Sequence, residues 1–179
     1  MEMPAHSRRV FLRRSLGAVG ALAALPGLGV GCAPPDLARA PAGLQTLDAA
    51  EWALLDAVSD AIVPRGGAFA LGARDVALAQ RIDGFLANES PAVQSGVAGA
   101  LLAVEWVAPL AAGRVARFSR LDDAGRVAAI DALRTSRIAL LRDVYAGLKQ
   151  LCVFGFYAVD ASWAATGYDG PLVGRAAAR

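Results

Sequence analysis

Side chains able to do chemistry are few in this sequence. The single histidine, His6, and both methionines lie in the N-terminal leader, and from Cys32 onward there is no histidine at all. Histidine-ligated metals, His–Cys dyads and the Ser–His–Asp triad are therefore excluded for the body of the chain. Carboxylates offer one pair at a suggestive spacing: Asp56 and Asp60 lie four residues apart, on one face of a helix. Paired acids do general acid–base work when their surroundings push their pKa values apart. Here they run in the opposite phase to the apolar residues, as expected of a solvated face. Asp122-Asp123 reads as a helix cap. Cys152 falls on an apolar seam, where an unpaired cysteine behaves as a small hydrophobe. A Cys32–Cys152 disulfide stays open only if Cys32 is neither lipidated nor removed. Arg65-Gly66-Gly67 and Gly170-Pro171-Leu172-Val173-Gly174 match neither the phosphate-binding loop nor the dinucleotide fingerprint, and no C-x-x-C-H attaches a haem. The expectation is a chain with no catalytic, cofactor-binding or metal-ligating set of its own.

The aromatic residues are more informative. Phe154, Phe156, Tyr157, Trp163 and Tyr168 cluster near the C-terminus of a chain that is only 7% aromatic. Rings in an irregular segment serve as anchors of a protein interface, or they cover the core of their own chain. Both readings stay open at this point. Phe156, Tyr157, Trp163, Tyr168 and Pro171 form the candidate partner interface.

The other readable signal is an address. Ser7-Arg8-Arg9-Val10-Phe11-Leu12-Arg13 precedes a mildly apolar run from Leu16 to about Val30. That run is short for a spanning helix, which needs about 20 residues. Paired arginines before such a run make a twin-arginine export signal, carried by Arg8, Arg9, Phe11 and Leu12. The route carries folded cargo, so its user folds fast, binds a cofactor early, or travels bound to a partner that does. The periplasm is the expected location. Gly29-Val30-Gly31-Cys32 resembles a lipoprotein cleavage box, which makes Cys32 the candidate lipidation site and membrane tether. Ordinary cleavage nearby, with Cys32 incidental, is the equal alternative.

Charge is divided in the same way. Arg8, Arg9, Arg13 and Arg14 against Glu2 leave +3 on residues 1–31, while 14 Lys+Arg against 15 Asp+Glu leave −1 on the rest. The basic character belongs to the leader, so the body is not expected to bind nucleic acid.

The elements that would position these residues are helical. Asp48-Ala-Ala-Glu51 has the form of a capping box, and Trp52, Leu55, Val58 and Ile62 recur on one face until Pro64. A second helix fits about 73–87, with Leu78, Ile82, Phe85 and Leu86 inward. Ser90-Pro91 opens a third, which Pro109 and Gly113 close. Asp122 or Asp123 caps a fourth with Val127, Ile130 and Leu133 inward. A fifth spans about 136–159, with a seam of Ile138, Leu141, Tyr145, Leu148, Cys152 and Gly155. The tail from Asp160 reads as an ordered loop. Residues 97–112 are apolar but short, and hold Glu105 and Pro109, so no bilayer span is expected there. The fold class is all-α: a signal segment (1–31), a Pro-rich tether (32–45), and a helical domain (46–179) built as a small bundle of about five helices with an irregular aromatic tail.

The order of these elements is itself a pattern. After the twin-arginine leader come Thr46-Leu47-x-x-x-Glu51, Leu54-Leu55-x-x-Val58-x-Asp60-x-Ile62-Val63-Pro64, Gly72-Ala73-x-Asp75, Ile82-Asp83-x-Phe85-Leu86, Phe156-Tyr157, Trp163 and Gly167-Tyr168-Asp169-Gly170-Pro171. Over roughly 46–172 the chain resembles the gluconate 2-dehydrogenase subunit 3 family. It departs after Pro64, where Ala68-Phe69-Ala70-Leu71 replaces the Pro-Gly step that often precedes the Gly-Ala element.

The resemblance implies a non-catalytic small subunit of a periplasmic dehydrogenase, supporting the folding of the large subunit and supplying the export signal for both. The large subunit would be a flavin-dependent oxidoreductase of the glucose–methanol–choline type, carrying FAD and acting on sugars, sugar acids or other alcohols. A c-type cytochrome often completes such a complex. The twin-arginine translocase is then the partner during export. The competing reading of the same residues is a free-standing periplasmic lipoprotein, a binding or structural module.

Overall fold

The computed structural model describes residues 37–66 and 70–170. Arg8, Arg9, Phe11, Leu12, Cys32 and Pro171 lie outside the described residues. Six helices succeed one another: α1 (Ala49–Ile62), α2 (Leu78–Leu86), α3 (Pro91–Ala111), α4 (Asp123–Arg134), α5 (Ala139–Tyr157) and α6 (Asp160–Thr166). Short 3-10 turns at Arg74–Val76 and Phe118–Arg120 link α1 to α2 and α3 to α4. No strand occurs among the described residues, and the all-α reading holds.

The first helix starts as its capping box requires. Asp48 Oδ1 accepts from the N–H groups of Ala50 and Glu51, both at 2.8 Å, and Glu51 Oε2 accepts from Asp48 N at 3.1 Å. Four otherwise orphaned N–H groups open any helix, so this reciprocal pair sets the start. The body of α1 differs from the expected single buried face. Every residue from Trp52 to Ser59 is buried, while Ile62 is only half-buried. The reason is tertiary: α1 packs against α2, α3, α4 and α5 at once, so it is the central helix and is covered all round.

The second helix is shorter than its periodicity suggests. Ala77 sits in the left-handed region at φ 49° and separates the 3-10 turn from α2. That conformation costs a non-glycine residue about 1–2 kcal/mol. It is held because the flanking turn is tied down: Ala77 N donates to Arg74 O, Leu78 N donates to Ala73 O, and Arg74 is drawn to α1.

Pro109 does not close α3, which runs on to Ala111. Proline's missing N–H and its steric conflict end many helices, but here the chain closes at Gly113, φ 73°. At 21 residues α3 is, by length and composition alone, long and apolar enough to cross a membrane, contrary to the shorter span read from the sequence. Its Leu101, Val104 and Ala108 belong to the core of this bundle.

Asp122 caps α4 by accepting from Gly125 N at 2.9 Å. Its inward face holds Arg126, Ala129, Ile130 and Leu133, whereas Val127 turns outward and is half-exposed. On α5, Ile138 lies just before the helix and is exposed, so the seam begins at Leu141. Gly155 makes the expected close approach: a Cβ there would stand 2.7 Å from Leu78 Cδ1 on α2. The segment after α5 corrects the expectation of a loop, because Asp160–Thr166 is helical and Gly167, φ 69°, ends it.

Candidate partner-docking surface

The carboxylate pair on α1 is not a solvated face. Asp56 is buried, and Arg74 closes over both acids, with Nε 3.0 Å from Asp56 Oδ2 and Nη1 3.2 Å from Asp60 Oδ2. Burial works against the Arg74 charge, but Asp56, then Asp60 and Asp123, outweigh it and raise its pKa. Two acids bridged by one guanidinium form a brace between α1 and the turn before α2. A second pair steadies the same loop: the Arg65 guanidinium binds Asp75 through two nitrogens, and Gly72 N donates to Asp75 Oδ2 at 2.8 Å. A Cβ on Gly72 would lie 2.5 Å from the Arg65 backbone nitrogen, so this turn admits only glycine.

Asp83 lies inside an apolar pattern in the sequence, yet it is the most buried carboxylate described. Its oxygens accept from the backbone N–H groups of Gln45, Thr46 and Leu47 at 2.7, 3.0 and 2.8 Å. Burial alone would push the carboxyl up; the three donors reverse that and hold it below the ordinary aspartate value. Leu37, Ala40, Leu44 and Leu47 pack on the core, so Asp83 latches the irregular strap that leads into α1. An acid at an inward helical phase is the signal the sequence offers; its partner cannot be read there.

Cys152 is fully buried, unpaired, and 3.6 Å from Ser59 Oγ. Burial pushes its thiol up to about 11, with Ser59 pulling weakly the other way. A thiol in that state is a poor nucleophile near neutral pH. No group of three or more metal-ligating side chains occurs among the described residues.

The aromatic end divides into core and surface. Phe156 is 2% exposed and packs inside the bundle, so it is corrected from interface to core. Tyr157 is half-exposed, and its carbonyl accepts from Trp163 Nε1 at 2.8 Å. Trp163 meets Tyr168 edge-to-face at 5.2 Å, and Gly170 backs onto the indole, where a Cβ would come within 3.0 Å of it. Phe154, one turn before Tyr157, is 72% exposed. Helical phase places Phe154 and Tyr157 opposite Cys152, on the outer side of α5. Phe154, Tyr157, Trp163 and Tyr168 thus form an aromatic ledge across the α5–α6 corner. Exposed aromatic rings are common anchors of a protein interface.

Residues 49–170 match the family described as gluconate 2-dehydrogenase subunit 3. No curated protein and no solved structure matches the chain.

Proposed function

The chain belongs to the gluconate 2-dehydrogenase subunit 3 family, and on that premise we propose that it is the non-catalytic small subunit and the folding and export escort of a periplasmic FAD-dependent dehydrogenase of the glucose–methanol–choline type, acting on sugars or other alcohols. Membership itself makes it an accessory subunit of a multi-subunit dehydrogenase complex. The finer reading rests on one combination: a twin-arginine leader joined to a body whose buried carboxylates are spent on internal braces and whose exposed rings form a ledge. Arg74 bridges Asp56 and Asp60, Asp83 latches the strap, and Cys152 is sealed. The flavin, FAD, belongs to the large subunit, which must fold around it before crossing the membrane. An escort that docks to that folded subunit and carries the address lets both use the twin-arginine translocase. A c-type cytochrome completes the electron path, and Cys32 is the tether if it is lipidated.

The test is export of the pair. With Arg8→Lys and Arg9→Lys together, both proteins should remain in the cytoplasm, and the periplasmic flavin absorbance should disappear. Export of a fully active flavoprotein in that strain would end the escort reading.

A further inference from the structure

We propose that the loop between α3 and α4 is a membrane-surface contact that seats on anionic phospholipid headgroups. Residues 113–116 are exposed without interruption, Val115 is 98% exposed, and Leu110 is 59% exposed at the end of α3. A valine this exposed gains nothing from its own chain. Arg114, Arg117 and Arg120 lie on the same stretch of chain, and no acid occurs between Glu105 and Asp122. The acids that bound this stretch are occupied by the body. Glu105 accepts from Ser119 N at 3.0 Å and from Ser119 Oγ at 2.6 Å, Asp122 caps α4, and Asp123 pairs with Arg126. Among the described residues no ion pair takes up Arg114, Arg117 or Arg120.

The loop is also held in shape. Gly113 N donates to Leu110 O and Arg114 N to Pro109 O, at 3.0 and 2.8 Å, and Phe118 is fully buried at the far end. Arg117 lies over the Trp106 ring at 4.3 Å, which sets an indole and a guanidinium side by side at the base. An exposed apolar tip on a segment that carries three arginines and no acid, with tryptophan at its base, suits the headgroup layer: the tip enters the acyl boundary while the arginines meet phosphates. The excess of positive charge on this stretch matches an anionic lipid surface, which also yields around an apolar side chain.

The full chain carrying Cys32→Ser and Val115→Cys, labelled at residue 115 with an environment-sensitive fluorophore, reports on this loop whatever the leader does. Vesicles of phosphatidylcholine and phosphatidylglycerol in equal parts should shift its emission to the blue and raise its intensity. Phosphatidylcholine alone should not. Arg114→Gln with Arg120→Gln should weaken the response about fivefold per arginine, and added salt should weaken it further. Unchanged emission at residue 115 with anionic vesicles would overturn the proposal, as would a response indifferent to lipid charge. Loss of a co-purifying flavoprotein from a Val115→Asp chain that still folds would also overturn it, by making the loop a protein seat.

Discussion

Asp83 shows how a single side chain organises a terminus. Three backbone donors converge on a carboxylate that water does not reach, and hydrogen bonds to a charged acceptor are worth about 1.5–3 kcal/mol. Asp83→Asn keeps the shape but aims an amide N–H₂ at N–H donors. It should lower stability by about 2–3 kcal/mol in urea unfolding and expose the strap at 37–47 to protease. Because the folded pKa is lowered, the Asp83 contribution is complete above the ordinary value of 3.8 and is lost as pH falls through the folded value. Cys152 has the opposite sign. Its thiol stays protonated in the folded protein up to about 11, so its contribution is full below 9.0 and is lost as pH rises from there. Alkylation at neutral pH followed by peptide mass spectrometry should leave Cys152 unmodified until the chain unfolds. Arg126 is a third case. It is buried, its Nε has no acceptor, and its Nη contacts are long, at 3.3 and 3.4 Å. Replacement of poorly paired buried charge by an apolar chain of similar length is often neutral or favourable. Arg126→Met should therefore leave the melting temperature unchanged or raise it.

Helices carry their instructions mainly in their ends and in their small residues. The capping box of α1, the Ser90-Pro91 start of α3 and the Asp122 cap of α4 each satisfy local donors, so they are legible from neighbouring residues. Two glycines on α5 separate local from tertiary roles. Gly147 has open space around it, so Gly147→Ala should stabilise the helix by up to about 1 kcal/mol. Gly155 faces Leu78, itself fully buried, so Gly155→Ala should gain the same helix term but lose about 1–3 kcal/mol to overpacking. Opposite shifts in thermal midpoint for the two substitutions would be the signature. Phe85, Val127 and Ile138, all read as inward, are exposed for a related reason: periodicity identifies an apolar stripe, but only the packed neighbours decide which edge of it is covered.

At the scale of the molecule, α1 is surrounded by four helices, and the two most exposed large apolar residues, Val115 and Phe154, lie at the α3–α4 loop and at the α5–α6 ledge. A subunit of a complex is expected to leave such surface for its partners. Phe154→Asp should release the flavoprotein in a co-purification while shifting the thermal midpoint little, because the ring is largely solvated in the chain alone. Retention of the flavoprotein by that variant would move the interface off the ledge.

Family, fold class and the capped starts of α1, α3 and α4 are open to reading from the chain itself, since caps and apolar phase act over a few residues and the order of motifs is a linear property. The match over 49–170 agrees closely with the span of the resemblance. The left-handed break at Ala77, the guanidinium that bridges Asp56 and Asp60, the strap bound to Asp83 and the division between Phe156 and its exposed neighbours cannot be read that way. Each depends on groups far apart in the chain meeting in space, and burial and charge pairing have no value until that meeting has occurred.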